Sequence, residues 1–278
     1  MKRQPAGIYG IVLFAVAVLQ PILLCAEVQE TSAPSSPLPA AQVFAPGVIS
    51  GPANEGAPTF SPDGKELFFT RSATRWSIIL ESHKQEDGAW SKPLVASFSG
   101  EWSDASPAFS PDGSYLIFVS VRPASTAGAP SGSAARQVES HIWRVDRTSS
   151  GWSAPAELPE AVNCFPRIFR PSVTSDGTVY FTATVNGKNL GLYRAAHRDG
   201  AFVRAEPLPF SDGSVKDVDP EIAPDQSFMI LSSRRTFPGD DQHEHLFIVR
   251  NRQGQWSSPE PIRYADDGSE DNDPRSRA

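Results

Sequence analysis

A Pro–x–(apolar or Thr)–x–x–Asp core recurs four times along the chain, at residues 57–64 (APTFSPDG), 106–113 (SPAFSPDG), 170–177 (RPSVTSDG) and 219–226 (DPEIAPDQ). Each copy runs into an apolar or alternating stretch: 67–70 (LFFT), 116–120 (LIFVS), 179–182 (VYFT) and 229–232 (MILS). A third stretch follows, plain at 141–145 (HIWRV), 191–194 (GLYR) and 245–249 (HLFIV) and weakest at 78–80 (IIL). A fourth opens with Gly and usually Trp, at 88–93 (GAWSKP), 151–155 (GWSAP), 200–207 (GAFVRAEP) and 254–259 (GQWSSP). Two independent marks in one order establish an internal repeat, and a repeat fixes the fold class before any single residue does.

The letters of one unit specify its shape. Pro fixes φ, Asp bonds the local backbone and Gly accepts positive φ, so Pro-Asp-Gly is a turn between strands. The flanking segments are apolar throughout or alternate, as in sheets stacked face to face. A unit of four strands has two apolar faces and cannot bury both alone, so its neighbours must cover it. The expectation is an all-β, β-propeller-type fold, with four recognisable four-stranded blades at about 57–96, 106–158, 170–208 and 219–262. Residues 42–50 read as a leading strand, and 271–274 (DNDP) as the C-terminal stub of a fifth unit. The repeat domain then spans 42–274, with 275–278 as a tail. The leading prolines Pro58, Pro107, Pro171, Pro220 and Pro274 are spaced 49, 64, 49 and 54 residues apart. The long interval holds a low-complexity insertion at 123–137 (PASTAGAPSGSAARQ), between the second and third strands of its unit. Three closures stay open: a four-bladed ring with decorated ends, an incomplete five-bladed ring, and a truncated chain.

Ser-Pro-Asp-Gly at 61–64 and 110–113, then an apolar strand, then Gly-x-Trp-Ser-x-Pro, resembles the TolB-like β-propeller repeat of bacterial envelope proteins. The resemblance covers roughly residues 43–274. It implies a propeller fold and a binding or scaffolding role, and it carries no catalytic set. The third copy (Thr-Ser-Asp-Gly) and the fourth (Ala-Pro-Asp-Gln) depart from it with tolerable turn variants.

Lys2 and Arg3 precede an apolar run over residues 8–24, and polar sequence begins at Glu27 after Cys25-Ala26. This is the pattern of a signal peptide over 1–26. A retained membrane anchor and a lipoprotein with lipid on Cys25 are the alternatives, although Leu24 stands where a lipoprotein signal places a small residue. Residues 27–41 form a Pro/Ser/Ala-rich spacer. Removing 1–26 takes the formal charge from −7 to −9, because Lys2 and Arg3 leave and no acid does. An acidic mature chain lacks the basic footprint of a nucleic-acid binder. Only Cys164 then remains apart from a lipidated Cys25, so no disulfide framework supports the fold.

Candidate chemistry clusters ahead of the leading prolines. Glu55, Asp104, Asp217 and Asp271 stand three residues before them, with Ile168 in the third copy, and Asp219 and Asp273 stand directly before Pro220 and Pro274. In propellers of this type that position lies near the mouth of the central channel. A ring of carboxylates there can hold a cation such as calcium or a basic peptide. The competing reading pairs them structurally with Arg71, Arg122 and Arg234 at the ends of the second strands. His141 and His245 open equivalent third strands, but no close Cys/His set completes a metal site. Trp90, Trp152 and Trp256 recur at one place in the unit, which argues for packing between blades, with a sugar-binding platform as the alternative. No Gly-x-Ser-x-Gly, phosphate loop or dinucleotide fingerprint occurs. No cofactor is expected. The functional expectation is an exported module that binds an envelope protein, peptide or glycan. It would meet the membrane only through an uncleaved signal or a lipid on Cys25. The alternatives are a secreted glycoside-processing enzyme using channel-mouth carboxylates, and a propeller fragment that is truncated or completed by a partner.

Overall fold

The turn chemistry read from the letters closes each hairpin. In the computed structural model, which describes residues 42–123, 139–184, 189–237, 239 and 243–262, Ser61 Oγ donates to Asp63 Oδ1 at 2.6 Å. The same hydroxyl accepts from the Glu66 amide at 2.9 Å, and Gly64 takes a φ of 68°. Ser110, Asp112 and Gly113 repeat the arrangement. Gln226 stands in the glycine place of the fourth turn with φ 62°. Its side chain offsets that strain by accepting from Tyr180 Oη and donating to Asp176 Oδ2, which ties the third turn to the fourth.

Each repeat folds as one antiparallel sheet with its strands in chain order. Blade 1 holds Asn54–Phe60, Glu66–Ala73, Trp76–His83 and Leu94–Val95. Blade 2 holds Asp104–Phe109, Tyr115–Ser120, His141–Thr148, Gly151–Trp152 and Ala156–Glu157. Blade 3 holds Ile168–Val173, Val179–Thr184, Leu190–Ala195 and Glu206–Pro207, with His197–Arg198 and Ala201–Phe202 as a separate ribbon. Blade 4 holds Asp217–Ile222, Phe228–Ser233, His245–Arg252, Gln255–Trp256 and Glu260–Pro261. Together they form a four-bladed β-propeller. All four belong to the unit Pro39–Ala278; the other unit, Met1–Leu38, lies outside the described residues.

The Gly-x-Trp segment does not continue as one strand. Trp152 pairs with Arg147 near the end of the third strand, and Ala156 pairs further back with Arg144. Between them the Ser-x-Pro triplet breaks the ladder, because proline has no amide to donate. The serine repairs the break: Ser91, Ser153 and Ser257 hydroxyls accept the amides of His83, Asp146 and Arg250, each at 3.0 Å.

Packing follows strand alternation. Leu116, Phe118, Trp143 and Val145 face blade 1 and meet Phe68 and Ile79. Ile117 and Ile142 face the other way, onto Val179, Phe181 and Tyr193 of blade 3. Tyr180 and Leu192 then meet Met229, Leu231 and Phe247 of blade 4. Burying each such side chain stabilises the fold by about 1.5–3 kcal/mol. Two of the three repeated tryptophans seal these seams as the sequence implied, whereas Trp90 packs on Phe60 of its own blade and on Phe44 of the leading segment. Trp152 lies 5.7 Å from Phe68, and Trp256 lies 6.3 Å from Tyr180, ring centre to ring centre.

The leading segment covers the remaining face of blade 1, where Ile49 packs on Leu67, Phe69 and Leu80. It does so as a tight turn, held by Gly47 N–H to Ser50 O at 2.8 Å and one parallel bridge, rather than as a laddered strand. Pro46 and the positive φ of Gly47 explain the turn. The signal segment, the spacer, residues 124–137 of the insertion and residue 138 lie outside the described residues, as does Asp271. Among the described residues, no helix is long and apolar enough to cross a membrane.

Candidate functional site: the central channel

Every inner strand slips register at its leading proline. Proline cannot donate to the ladder, so the strand bulges there and bends toward the propeller axis. The residue before the proline takes the left-handed region in all four blades: Ala57 (φ 50°), Ser106 (54°), Arg170 (48°) and Asp219 (55°). None is glycine, and each such placement costs about 1–2 kcal/mol. Hydrogen bonds from the neighbouring blade hold two of them. The Ser106 amide donates to Thr70 Oγ1 at 2.8 Å, and the Asp219 amide to Thr182 Oγ1 at 3.1 Å. Two residues past the proline, the Phe109 amide donates to Thr59 Oγ1 and the Ile222 amide to Ser172 Oγ, both at 3.1 Å.

The four bulges form the waist of a channel. A chamber of about 600 Å³ on one side is walled by the leading prolines together with Phe60, Phe109, Ile222 and Glu221. A chamber of about 610 Å³ on the other has Asn54, Glu55, Thr70, Thr182 and Lys216 in its wall, among apolar side chains such as Phe169 and Leu190. Ala57, Ser106, Arg170 and Asp219 line both chambers. Arg170 reaches across the waist. Its Nε stands 3.6 Å from Asp219 Oδ1 of blade 4, and its Nη2 stands 3.9 Å from where a Cβ on Gly56 of blade 1 would lie. Glu221 meets solvent within the channel, yet the atoms packed round it desolvate its carboxyl and raise its pKa above the ordinary carboxylate value. The waist thus offers a cation and an anion to a guest, between two chambers of mixed lining.

The acidic positions ahead of the prolines divide between fold and channel. Asp104 is fully buried; Arg122 Nη2 donates to its Oδ1 at 2.8 Å and Ser99 Oγ to its Oδ2 at 2.9 Å. Arg122 also donates to Ser120 Oγ and to the Phe98 carbonyl. Asp217 repeats the arrangement with Ser233 at 2.6 Å and with Arg235 at 2.7 Å. Arg235, not Arg234, therefore occupies the place of Arg122; Arg234 turns outward to Glu244 at 3.3 Å. Glu55 pairs with Arg71 at 3.0 Å and also lines the chamber that holds Lys216. Ile168 replaces the acid in blade 3, where Asn163 bonds both the amide and the carbonyl of Ile142.

His141 lies away from the channel against Glu157, Nδ1 to Oε1 2.6 Å, and His245 stacks on Phe237 with ring centres 3.9 Å apart. The structure therefore brings Glu55 and Asp219 to one chamber and leaves the histidines elsewhere. Among the described residues, no three His, Cys, Asp or Glu side chains gather closely enough to hold a metal ion. Sequence reasoning missed Arg170, Lys216 and Glu221. The available signal was the residue directly before each leading proline, which changes from Ala to Ser to Arg to Asp while the proline does not.

No protein-family model matches the chain, and no curated protein does. Its structural neighbours include TolB proteins. TolB from Acinetobacter baumannii is 18% identical with a TM-score of 0.48, over 74% of this chain and 44% of that one. A putative TolB from Agrobacterium tumefaciens is 16% identical with a TM-score of 0.42, over 74% and 80%. A puromycin-hydrolyzing peptidase from Mycobacterium tuberculosis is 16% identical with a TM-score of 0.46, over 78% and 30%. The chain spans less than half the length of the Acinetobacter TolB and of the peptidase. Likenesses this distant assign it no ligand and no activity.

Proposed function

We propose that this chain is an exported binding module that takes a segment of an envelope protein, peptide or glycan into its central channel. The observation that carries the reading is the waist. Four inner strands share one strained backbone geometry, and the side chains they present there differ, with Arg170 and Asp219 supplying opposite charges. Chambers of about 600 Å³ fall within the usual range of ligand sites, and strained residues concentrate where function needs them. The basic-apolar start of the chain supports export. The glycoside-processing alternative loses support, because Asp104 and Asp217 are each committed to an arginine and so are poorly placed to trade protons with a substrate.

Calorimetric titration of the mature chain with a panel of peptides and oligosaccharides tests the reading. The expected result is a binder whose affinity falls at least tenfold in Arg170→Ala, with the fold retained and the unfolding temperature shifted by no more than a few degrees. A panel binder indifferent to Arg170→Ala, or turnover of any panel glycan, would overturn it.

A further inference from the structure

Among the described residues, three of the four blades have the face toward the next blade covered, and blade 4 does not. At equivalent third-strand positions Ile79, Ile142 and Leu192 are each 0% exposed, whereas Leu246 is 44% exposed. Ile230 and Ile248 pair across the same sheet face and stay half-buried, and Phe228 is exposed beside them. The face is also polar in a specific way. Blades 1 and 3 each offer two hydroxyls to the incoming inner strand, Thr70 and Thr59, then Thr182 and Ser172. At the same two positions blade 4 presents Ser232 and Glu221, both oxygen acceptors. Ser232 Oγ lies 3.4 Å from Glu244 Oε2, so it can donate there and still accept.

The path of the chain points to the occupant. The Ile262 amide donates to the Leu246 carbonyl at 2.9 Å, as Ala96, Leu158 and Leu208 do to their own third strands. Two residues beyond Ala96 and Leu208 stand Phe98 and Phe210, which roof the seam to the next blade. Two residues beyond Ile262 stands Tyr264. Residues 271–276 (DNDPRS) then match the inner strand Asp217–Ile222 in length and in the place of the proline.

We propose that the open face of blade 4 is the docking surface for residues 263–276 of this same chain, which add the inner strand of a further blade. In this register the Asp273 amide donates to Ser232 Oγ and the Ser276 amide to the Glu221 carboxylate, repeating the bonds made by Ser106 and Phe109. The added strand extends the channel wall beside Glu221, and Tyr264 shields Leu246.

Cysteine pairing tests it in the full chain carrying Cys25→Ser and Cys164→Ser. The pair Ser232→Cys/Asp273→Cys is compared with Thr70→Cys/Ser106→Cys, which samples the same register inside the described fold. The expected result is an intrachain disulfide in both variants, run as monomers on a non-reducing gel. A linked control beside a test pair that stays reduced, or that joins two chains, overturns the proposal, the second outcome assigning the face to another copy. Independently, deleting residues 271–278 should raise binding of a hydrophobic dye several-fold and lower the unfolding temperature. Unchanged dye binding and an unchanged melt would overturn it.

Discussion

The hairpin turns and the channel waist are both repeated four times, but they repeat different things. In the turns the side chains recur with the backbone: Ser, Pro, Asp and Gly perform one set of hydrogen bonds, and the variants at Thr174 and Gln226 keep bonding. In the waist only the backbone recurs. Four residues hold φ near 50°, yet they are Ala, Ser, Arg and Asp. Side chains that close a hairpin are constrained by the fold, while side chains facing a channel are free to differ and can be fitted to a guest. The fold accordingly draws its stability from the turns, the seams and the buried Asp–Arg pairs, and the waist contributes little to it.

The largest effect should come from the buried acids. Asp104→Ala and Asp217→Ala each leave an arginine without its partner inside the fold, and urea unfolding should show losses of about 3–5 kcal/mol. Blade 3, with Ile168 in that place, escapes this penalty. Next come the turns. Ser110→Ala should cost about 1 kcal/mol and also flatten the acid limb of stability. The Ser110 hydroxyl, with the Ser114 amide and hydroxyl, lowers the Asp112 pKa to about 2 from an ordinary 3.8. A lowered carboxylate pKa contributes stability that is present above 3.8 and is lost as pH falls through about 2. Unfolding midpoints measured from pH 5 to pH 2 should therefore fall less steeply in the variant.

Glu221 gives the opposite sign. Desolvation raises its folded pKa, so its ionisation opposes folding, and this cost appears as pH rises above its ordinary value of 4.5. In a chain without residues 271–278, Glu221→Gln should melt higher than its Glu221 parent at pH 7 and equal to it near pH 4. A lower melt at pH 7 would show that the ionised carboxylate is held by donors in the folded chain. Smallest is the waist itself: Arg170→Ala should change stability by about 1 kcal/mol or less, because its pair with Asp219 is long and partly exposed.

The repeat, its turns and its tryptophan seams were legible in the letters because each rests on a local rule. Pro-Asp-Gly closes a hairpin wherever it stands, and a ring repeated at one place in a blade packs on the preceding blade where there is one; Trp90 of blade 1 meets the leading segment instead. The bulges were not legible, since a proline shows only that a ladder bond is missing and not where the chain turns to make it up. The arginine partner of Asp217 was misplaced by one residue for a similar reason. Two adjacent arginines, Arg234 and Arg235, end that strand, and only the place of Ser233, matching Ser120 before Arg122, shows which one turns inward. The split fourth strand depends on Ser-x-Pro, whose serine hydroxyl replaces a ladder bond in a way that composition does not reveal. The channel residues were the least legible. Their signal is a lack of repetition at a repeated place, and it acquires meaning once all four bulges are seen to face one axis.

The waist backbone serves the fold, and its side chains are proposed to serve a guest. Replacing Ala57, Ser106, Arg170 and Asp219 together by glycine tests it, because glycine takes the left-handed region without steric cost. Thermal unfolding of this variant is expected to stay cooperative, with a midpoint at or near that of the wild type. Collapse of the transition, or a midpoint lower by ten degrees or more, would show instead that those side chains hold the propeller together.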